Sequence, residues 1–258
     1  MHSGKVSTLR GTGMPQGYGR WIRRPNQLLR IAPSALSCTQ RCTQCDGVGP
    51  LEHVAAAFLL AGWRDWCLEC DDADLPIGDG SAAMFSIPRH GEVPLRHVGA
   101  FDVHLINDRG GTLWARSAAS FHVRSEWATP MGLEVWEAGA SSLSACLKAR
   151  TFISSEDYCQ ARLIGMLRGC GVGQGRLLGP ATSADAMELA RELGVDPAQE
   201  VWTGGAARMN GECAAHKVLD LVGDLALWLG FLPCMEIEMR NVGHAQFHAL
   251  GRRLLSLS

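Results

Sequence analysis

The sequence predicts an α+β fold, with strands and helices grouped along the chain rather than alternating as β-α units. Three observations carry that reading. Residues 101–106 and 120–124 have a strand-like period of two, the mark of half-buried strands. The helical period follows later, above all in 214–229, where Val218, Leu221, Val222, Leu225 and Leu229 fall on one stripe. A chain of 258 residues also has enough material for one large core or two modest ones.

The elements follow in order. The first half, to about Pro94, holds short strand-like pieces and an apolar segment, 54–62, that reads as a helix with Pro50 near its first turn. Residues 66–70 read as a strand, and Asp71-Asp72 opens an acidic loop leading to Asp79-Gly80-Ser81. In the second half, Asn107-Asp108-Arg109-Gly110-Gly111 is a turn between strands. Helices are expected around 141–148, 183–193 and 214–229. The second is the best punctuated, with Ser183 as N-cap, Glu188 and Glu192 on its polar face and Gly194 as its stop. No exact internal repeat is present, and a boundary near Pro94 divides the chain into residues 1–94 and 95–258.

Composition excludes some classes. With 24 basic and 26 acidic residues the formal net charge is −2, which provides no field for nucleic acid. The longest apolar stretch, 54–63, is too short to span a bilayer, and the N-terminus lacks an apolar signal core. A cytoplasmic protein with reduced cysteines is expected. With no basic amphipathic helix, membrane contact is expected to be peripheral at most.

The most informative run is His216-Lys217-Val218-Leu219-Asp220-Leu221-Val222-Gly223-Asp224. Residues four apart share a helix face, so His216 and Asp220 can grip one metal ion, with Asp224 a turn further on. A lone His-x-x-x-Asp pair recurs by chance, so its company decides. Upstream, Glu52-His53 stands at the start of the 54–62 helix, near the positive end of its dipole. A third histidine-bearing element is Gly243-His244-Ala245.

Five blocks stand in order over most of the chain: Leu51-Glu52-His53-Val54-Ala55-Ala56-Ala57-Phe58, Pro76-Ile77-Gly78-Asp79-Gly80-Ser81-Ala82, Ala149-Arg150-Thr151-Phe152, the His216 to Leu225 run, and Gly243-His244-Ala245. Together they resemble the UDP-3-O-acyl-N-acetylglucosamine deacetylases, zinc amidases of lipid A biosynthesis in Gram-negative bacteria. The resemblance implies two similar sandwich domains, each a sheet with helices, and zinc between them held by His53, His216 and Asp220. It implies Glu52 as general base, His244 as general acid oriented by Asp224, Thr151 as oxyanion stabiliser, and Lys217 contacting substrate or the developing charge. Three protein ligands leave a position for water, as catalytic zinc requires, and the ion would lower that water's pKa from ~15.7 to about 7. The implied substrate is a UDP-linked, acylated amino sugar, the implied ion zinc with iron(II) as the alternative, and a monomer is expected.

Two rival readings stand beside this one. Cys38-x-x-x-Cys42-x-x-Cys45 has the spacing of an iron–sulfur motif, and Cys42/Cys45 with Cys67/Cys70 that of a zinc ribbon. Its context is poor: on a strand, Cys67 and Cys70 point to opposite faces. Cys146, Cys159, Cys170, Cys213 and Cys234 read as small buried hydrophobes. The other rival is a catalytically weak relative that binds a glycolipid or a protein partner. Glu52, Thr151 and His244 together favour the enzyme. His90, His97, His104, His122 and His248 read as surface or satisfied core groups, and Gly171-Val172-Gly173-Gln174-Gly175-Arg176 as a turn rather than a phosphate loop.

The chain departs from the family pattern in several places. Met1-His2-Ser3-Gly4-Lys5 aligns after the family's first strand, so either the start is placed late or the first sheet lacks an edge. Pro88 and Gly91 cut short the helix expected after Ala82; Thr129-Pro130 replaces a His-Pro, and Ala215 an Arg. An insertion around 170–205, with the Ser183 helix, falls where the family builds its acyl-chain passage.

Overall fold

The computed structural model describes residues 7–38, 42–167 and 174–258. The first part of the chain forms β1 (Leu9–Gly13), β2 (Arg20–Arg24), β3 (Gln27–Arg30), β4 (Leu36–Cys38), β5 (Thr43–Cys45), α1 (Glu52–Leu60) and β6 (Trp66–Cys70). There follow β7 (Leu95–Arg96), β8 (Asp102–Ile106), β9 (Thr112–Ser117), β10 (His122–Thr129), β11 (Gly132–Gly139) and β12 (Phe152–Ser154). The rest is α2 (Ser155–Leu163), β13 (Arg176–Leu178), α3 (Ala184–Leu193), α4 (Glu212–Leu229), β14 (Leu232–Pro233), β15 (Met235–Arg240) and α5 (His244–Leu255). The fold is α+β, as the sequence predicts.

A four-stranded sheet, order β1-β6-β2-β3, belongs to the first part, and a five-stranded sheet, order β11-β10-β15-β9-β8, to the second. Interior strands bury alternate residues: Trp66, Leu68 and Cys70 on β6, Met235, Ile237 and Met239 on β15. The register brings Val123 and Ala115 to either side of Ile237, so three inward side chains form one apolar row.

Helices α1 and α4 fill the space those faces leave. Every residue of α1 is buried, and its Phe58 stacks on Trp66 at 5.1 Å. On α4 only Lys217 and Leu229 escape burial, so the single expected stripe understates a helix enclosed all round. The two helices meet backbone to backbone: a Cβ on Gly223 would lie 2.0 Å from the Glu52 carbonyl oxygen. That approach puts the first turn of α1 beside the His216 to Asp224 face. Residues of both sheets and both helices belong to one continuous core, including Ile22, Leu68, Phe58, Leu221, Val123 and Ile237.

A smaller module with its own core lies between the 3-10 turn Leu143–Lys148 and α4. Strands β12 and β13 pair in parallel, α2 and α3 flank them, and Cys159, Leu177, Leu189 and Trp202 form its interior. Helix α3 has the foreseen ends, Ser183 accepting from Ala186 N and Gly194 left-handed at φ 66°.

Several elements differ from expectation. The segment expected as a helix at 141–148 is a 3-10 turn, Leu143–Lys148. Helix α1 begins at Glu52, with Pro50 outside it, and no helix follows Ala82. Strand β10 continues to Thr129 because β11 pairs with it to its end, with β15 on the other side as far as Glu126. Helices α2 and α5 are additions. Residues 1–5, Cys170 and 171–173 lie outside the described residues.

Candidate active site

The α1–α4 contact assembles a buried cluster of imidazoles and carboxylates. His53 Nε2 and His216 Nε2 lie 3.5 and 3.3 Å from one atom, Asp220 Oδ1, their rings 5.0 Å apart and edge-on. His216 Nδ1 lies 3.2 Å from the Ala149 carbonyl; donation there leaves Nε2 with its lone pair facing Asp220. Burial, partly opposed by the Asp220 charge, pushes the His216 pKa down to about 3, so the ring is neutral.

Asp220 Oδ1 is buried without a hydrogen-bond partner, as is His53 Nδ1. A buried carboxylate oxygen left unmatched is costly, and a cation between it and the two Nε2 atoms would satisfy all three. The ligand atoms of His53, His216 and Asp220 fall within 4.8 Å of one another. The donor set, two imidazoles and a carboxylate with room for water, fits zinc. A second grouping, Glu52, Asp220 and His244, meets the same distance limit but fits less well, because His244 is charged: burial opposes that charge, yet Asp224 and Asp220 outweigh it and push its pKa up to about 9.

On the other side of the cluster, His244 Nδ1 lies 2.8 Å from Asp224 Oδ2, with Nε2 4.0 Å from Glu52 Oε1. Burial raises the Glu52 pKa against the pull of His244. Burial also opposes the Asp224 charge, but His244 holds its pKa below the usual range. Thr43 joins the two carboxylates. Its amide donates to Glu52 Oε2 over 2.9 Å, and its hydroxyl lies 2.6 Å from Asp224 Oδ1 and 2.8 Å from His248 Nε2.

Thr151 is held by loops. Its amide donates to the Gly80 carbonyl over 2.7 Å and its own carbonyl accepts from Arg176 N. Gly80, at φ +85°, is required on two counts, since a Cβ would also meet Thr151 Cγ2 at 2.8 Å. The preceding Arg150 forms a buried, two-point pair with Glu212 at the first turn of α4, at 2.8 and 2.9 Å, and also donates to the Gly204 and Ala206 carbonyls.

A cavity of about 580 Å³ opens onto this cluster, lined by Glu52, His53, Thr151, His216, Lys217, Asp220 and His244, with Asp224 behind His244. Lys217 Nζ donates to Asp220 Oδ2 over 2.9 Å and lies against the rings of Trp127 and Phe152. The cavity continues along Tyr158, Leu167, Leu177, Leu178 and Leu193 of the small module.

The family model described as UDP-3-O-acyl N-acetylglycosamine deacetylase matches residues 1–93 and 136–256, most of the chain. The chain belongs to this deacetylase family. The interruption, 94–135, covers β7 to β10 and the first half of β11. Among proteins named UDP-3-O-acyl-N-acetylglucosamine deacetylase, one from Trichormus variabilis is 25% identical over 287 residues, spanning 100% of this chain and 94% of its own. One from Anaeromyxobacter sp. is 28% identical over 270 residues, covering 99% of this chain and 84% of its own. A third, from Solibacter usitatus, is 27% identical over 220 residues, 81% of this chain and 68% of its own. Members of this family are thus hydrolases of an amide.

Among the described residues the metal-capable groups contain no cysteine. Cys67 and Cys70 lie on opposite faces of β6, and Cys146, Cys159, Cys213 and Cys234 are buried. His248 is a satisfied core group, yet its partner is Thr43, inside the site. The sequence pattern assigns no place in the site to Thr43, Arg150 or Glu212. Arg150 stands within the Ala149-Arg150-Thr151-Phe152 block, its one local signal; for Thr43 there is none.

Proposed function

We propose that this chain removes the acetyl group of a UDP-3-O-acyl-N-acetylglucosamine, an early step of lipid A synthesis, using a zinc ion held by His53, His216 and Asp220. The convergence of two imidazole nitrogens on the unmatched Asp220 Oδ1 carries the reading. When bound, the ion would supply Lewis acidity and a nucleophilic water at neutral pH.

The chain's own groups supply the proton transfers. Glu52 is the base: burial makes its carboxylate more basic, and Thr43 N fixes one oxygen while the other faces His244 and the cavity. His244 is the acid, positively charged at neutral pH, with Asp224 holding Nδ1 so that Nε2 presents its proton to the departing amine. Thr151 would stabilise the oxyanion from the cavity wall, and Lys217, wedged between Asp220 and two aromatic rings, would contact substrate or the same developing charge.

The cavity supports an amphiphilic substrate. Its catalytic end is polar, and its continuation over Leu167, Leu177, Leu178 and Leu193 suits an acyl chain. No helix among the described residues is long and apolar enough to cross a membrane; a cytoplasmic monomer that meets lipid at a membrane surface is the setting proposed.

Acetate release by the purified protein, combined with elemental analysis, tests this. Wild type should carry one divalent ion and be active. His216→Ala should lose the ion, whereas Cys42→Ser with Cys45→Ser should keep it. Glu52→Gln should keep the ion while kcat falls roughly 10²–10⁴-fold, the range of general-base catalysis. Metal retained without His216 and lost without the cysteines would overturn the assignment.

A further inference from the structure

At the end of α4 away from the histidines lies a second cavity, of about 290 Å³. It shares no lining residue with the first. From His216 to Leu229 the helix advances thirteen residues, about 20 Å at 1.5 Å each, so the two are separate places.

Arg20 of β2, Arg30 of β3, Arg64 in the turn before β6 and Arg96 of β7 surround this cavity, together with Asp65 and the Gly230-Phe231 turn. Elsewhere, Arg116, Arg124, Arg150, Arg162 and Arg208 each pair with a carboxylate. None of the four cavity arginines has such a pair among the described residues. The one acid, Asp65, directs both oxygens at backbone: Oδ2 accepts from Gly17 N over 2.7 Å and Oδ1 from Gly19 N over 3.1 Å. Arg20 caps α4 by donating to the Ala226 carbonyl, which accounts for one guanidinium. Arg96 lies over the Phe231 ring at 5.0 Å and Arg30 over Trp21 at 6.0 Å; both contacts use the ring faces and leave the edge N–H groups available. Burial, with Arg30 adding to it against Asp65, pushes the Arg20 pKa down to about 10, so its charge is held here at a cost.

We propose that this cavity binds a phosphoryl anion, with Arg30, Arg64 and Arg96 donating to it and Arg20 forming the floor. Three planar donor sets around one concave space match the oxygens of a phosphoryl group. Nothing in the catalytic chemistry uses them. The bound anion bridges β2 and β3, the turn before β6, β7 and the end of α4, elements from both sides of Pro94. Binding therefore stabilises the fold by linkage. Free phosphate and a lipid phosphate headgroup share this chemistry.

The test uses the whole protein at fixed ionic strength, so that general screening is held constant. Inorganic phosphate and pyrophosphate, against chloride, are titrated by calorimetry and thermal unfolding. In parallel the protein is sedimented with phosphatidylglycerol vesicles and with phosphatidylcholine vesicles. Saturable binding of the free anions is expected, weakened about tenfold or more in Arg64→Ala and in Arg96→Ala, as loss of a charge-assisted contact requires, and unaffected in the control Arg124→Ala. Binding to phosphatidylglycerol vesicles alone, with the same arginine dependence, would assign the site to a lipid headgroup. Arg20 is left intact because it caps α4. No binding by either source, or binding that survives the Arg64 and Arg96 substitutions, would overturn the proposal. Because the readout is binding and not acetate release, its failure would leave the deacetylase reading standing.

Discussion

The Thr43 hydroxyl lies 2.6 Å from Asp224 Oδ1, although 181 residues separate the two in sequence. Through its amide, Thr43 also holds Glu52 Oε2, so the residue behind the proposed acid, His244, and the proposed base, Glu52, share one anchor. Thr43→Val removes the hydroxyl and keeps the amide and the shape. Asp224 would lose a hydrogen bond to a charged acceptor, worth about 1.5–3 kcal/mol. Activity should therefore fall about tenfold or more, with metal content unchanged and Thr43→Ser restoring most of it. Full activity in Thr43→Val would reduce the contact to packing.

Arg150 and Glu212 make a stability prediction. The pair is buried and bidentate, and Glu212 also accepts from the amides of Arg150 and Arg208. Burial alone would raise the Glu212 pKa, yet these donors, Arg150 first, hold it low. Arg150→Met leaves that carboxylate with only one cationic contact, the longer one to Arg176 Nε at 3.8 Å, and a buried pair broken on one side costs up to about 3–5 kcal/mol. Urea unfolding should show it. The double variant with Glu212→Gln should lose less than the two single losses added together. A loss under about 1 kcal/mol in Arg150→Met would mean the carboxylate finds water.

A pH dependence is expected in the small module. Glu156 Oε1 accepts from Thr182 N at 2.6 Å, Thr182 Oγ1 at 2.8 Å and Ser183 N at 3.0 Å, tying α2 to the cap of α3. Burial opposes the charge weakly, but these donors pull the pKa down to about 2, below the ~4.3 of an unfolded chain. A depressed folded pKa gives stabilisation that is full above the unfolded value and lost as pH falls through the folded one. Exchange protection of the Thr182 and Ser183 amides, corrected for intrinsic rates, should exceed that of Glu156→Gln at pH 7, and the gap should close between about pH 4 and pH 2. A gap that stays constant with pH would remove the charge from the explanation.

What was legible in the sequence follows from distance along the chain. His216, Asp220 and Asp224 recur every four residues on one strongly apolar helix, so their common face could be read directly. The Ser183 and Gly194 punctuation of α3 was local in the same way. Helix α2 is short and polar, burying only Ser155, Cys159 and Ala161, so its apolar period is faint. In α5 the inward row of Phe247, Leu250 and Leu254 also contains His248 and Gly251, and the two non-apolar positions mask it. Contacts such as Thr43 with Asp224, or Arg150 with Glu212 across 62 residues, arise from the close crossing at Gly223 and the loop after Ser81. No local pattern encodes them.

The apolar continuation of the catalytic cavity can be probed on α3. Leu193 lines it from the module, half-buried at the end of that helix, so a larger side chain there intrudes on the cavity rather than on the main core. Remote binding contacts position the amide against the reacting groups, while the proposed metal ligands lie on α1 and α4. Leu193→Trp should leave metal content and turnover of short-chain substrates nearly unchanged. For long chains, losing room for two or three methylenes at about 0.8 kcal/mol each should lower kcat/KM by roughly 10- to 60-fold relative to short ones. The ratio of kcat/KM between a long-acyl and a short-acyl substrate, measured for both proteins, checks it. An unchanged ratio would mean that the acyl chain leaves the cavity before it reaches α3.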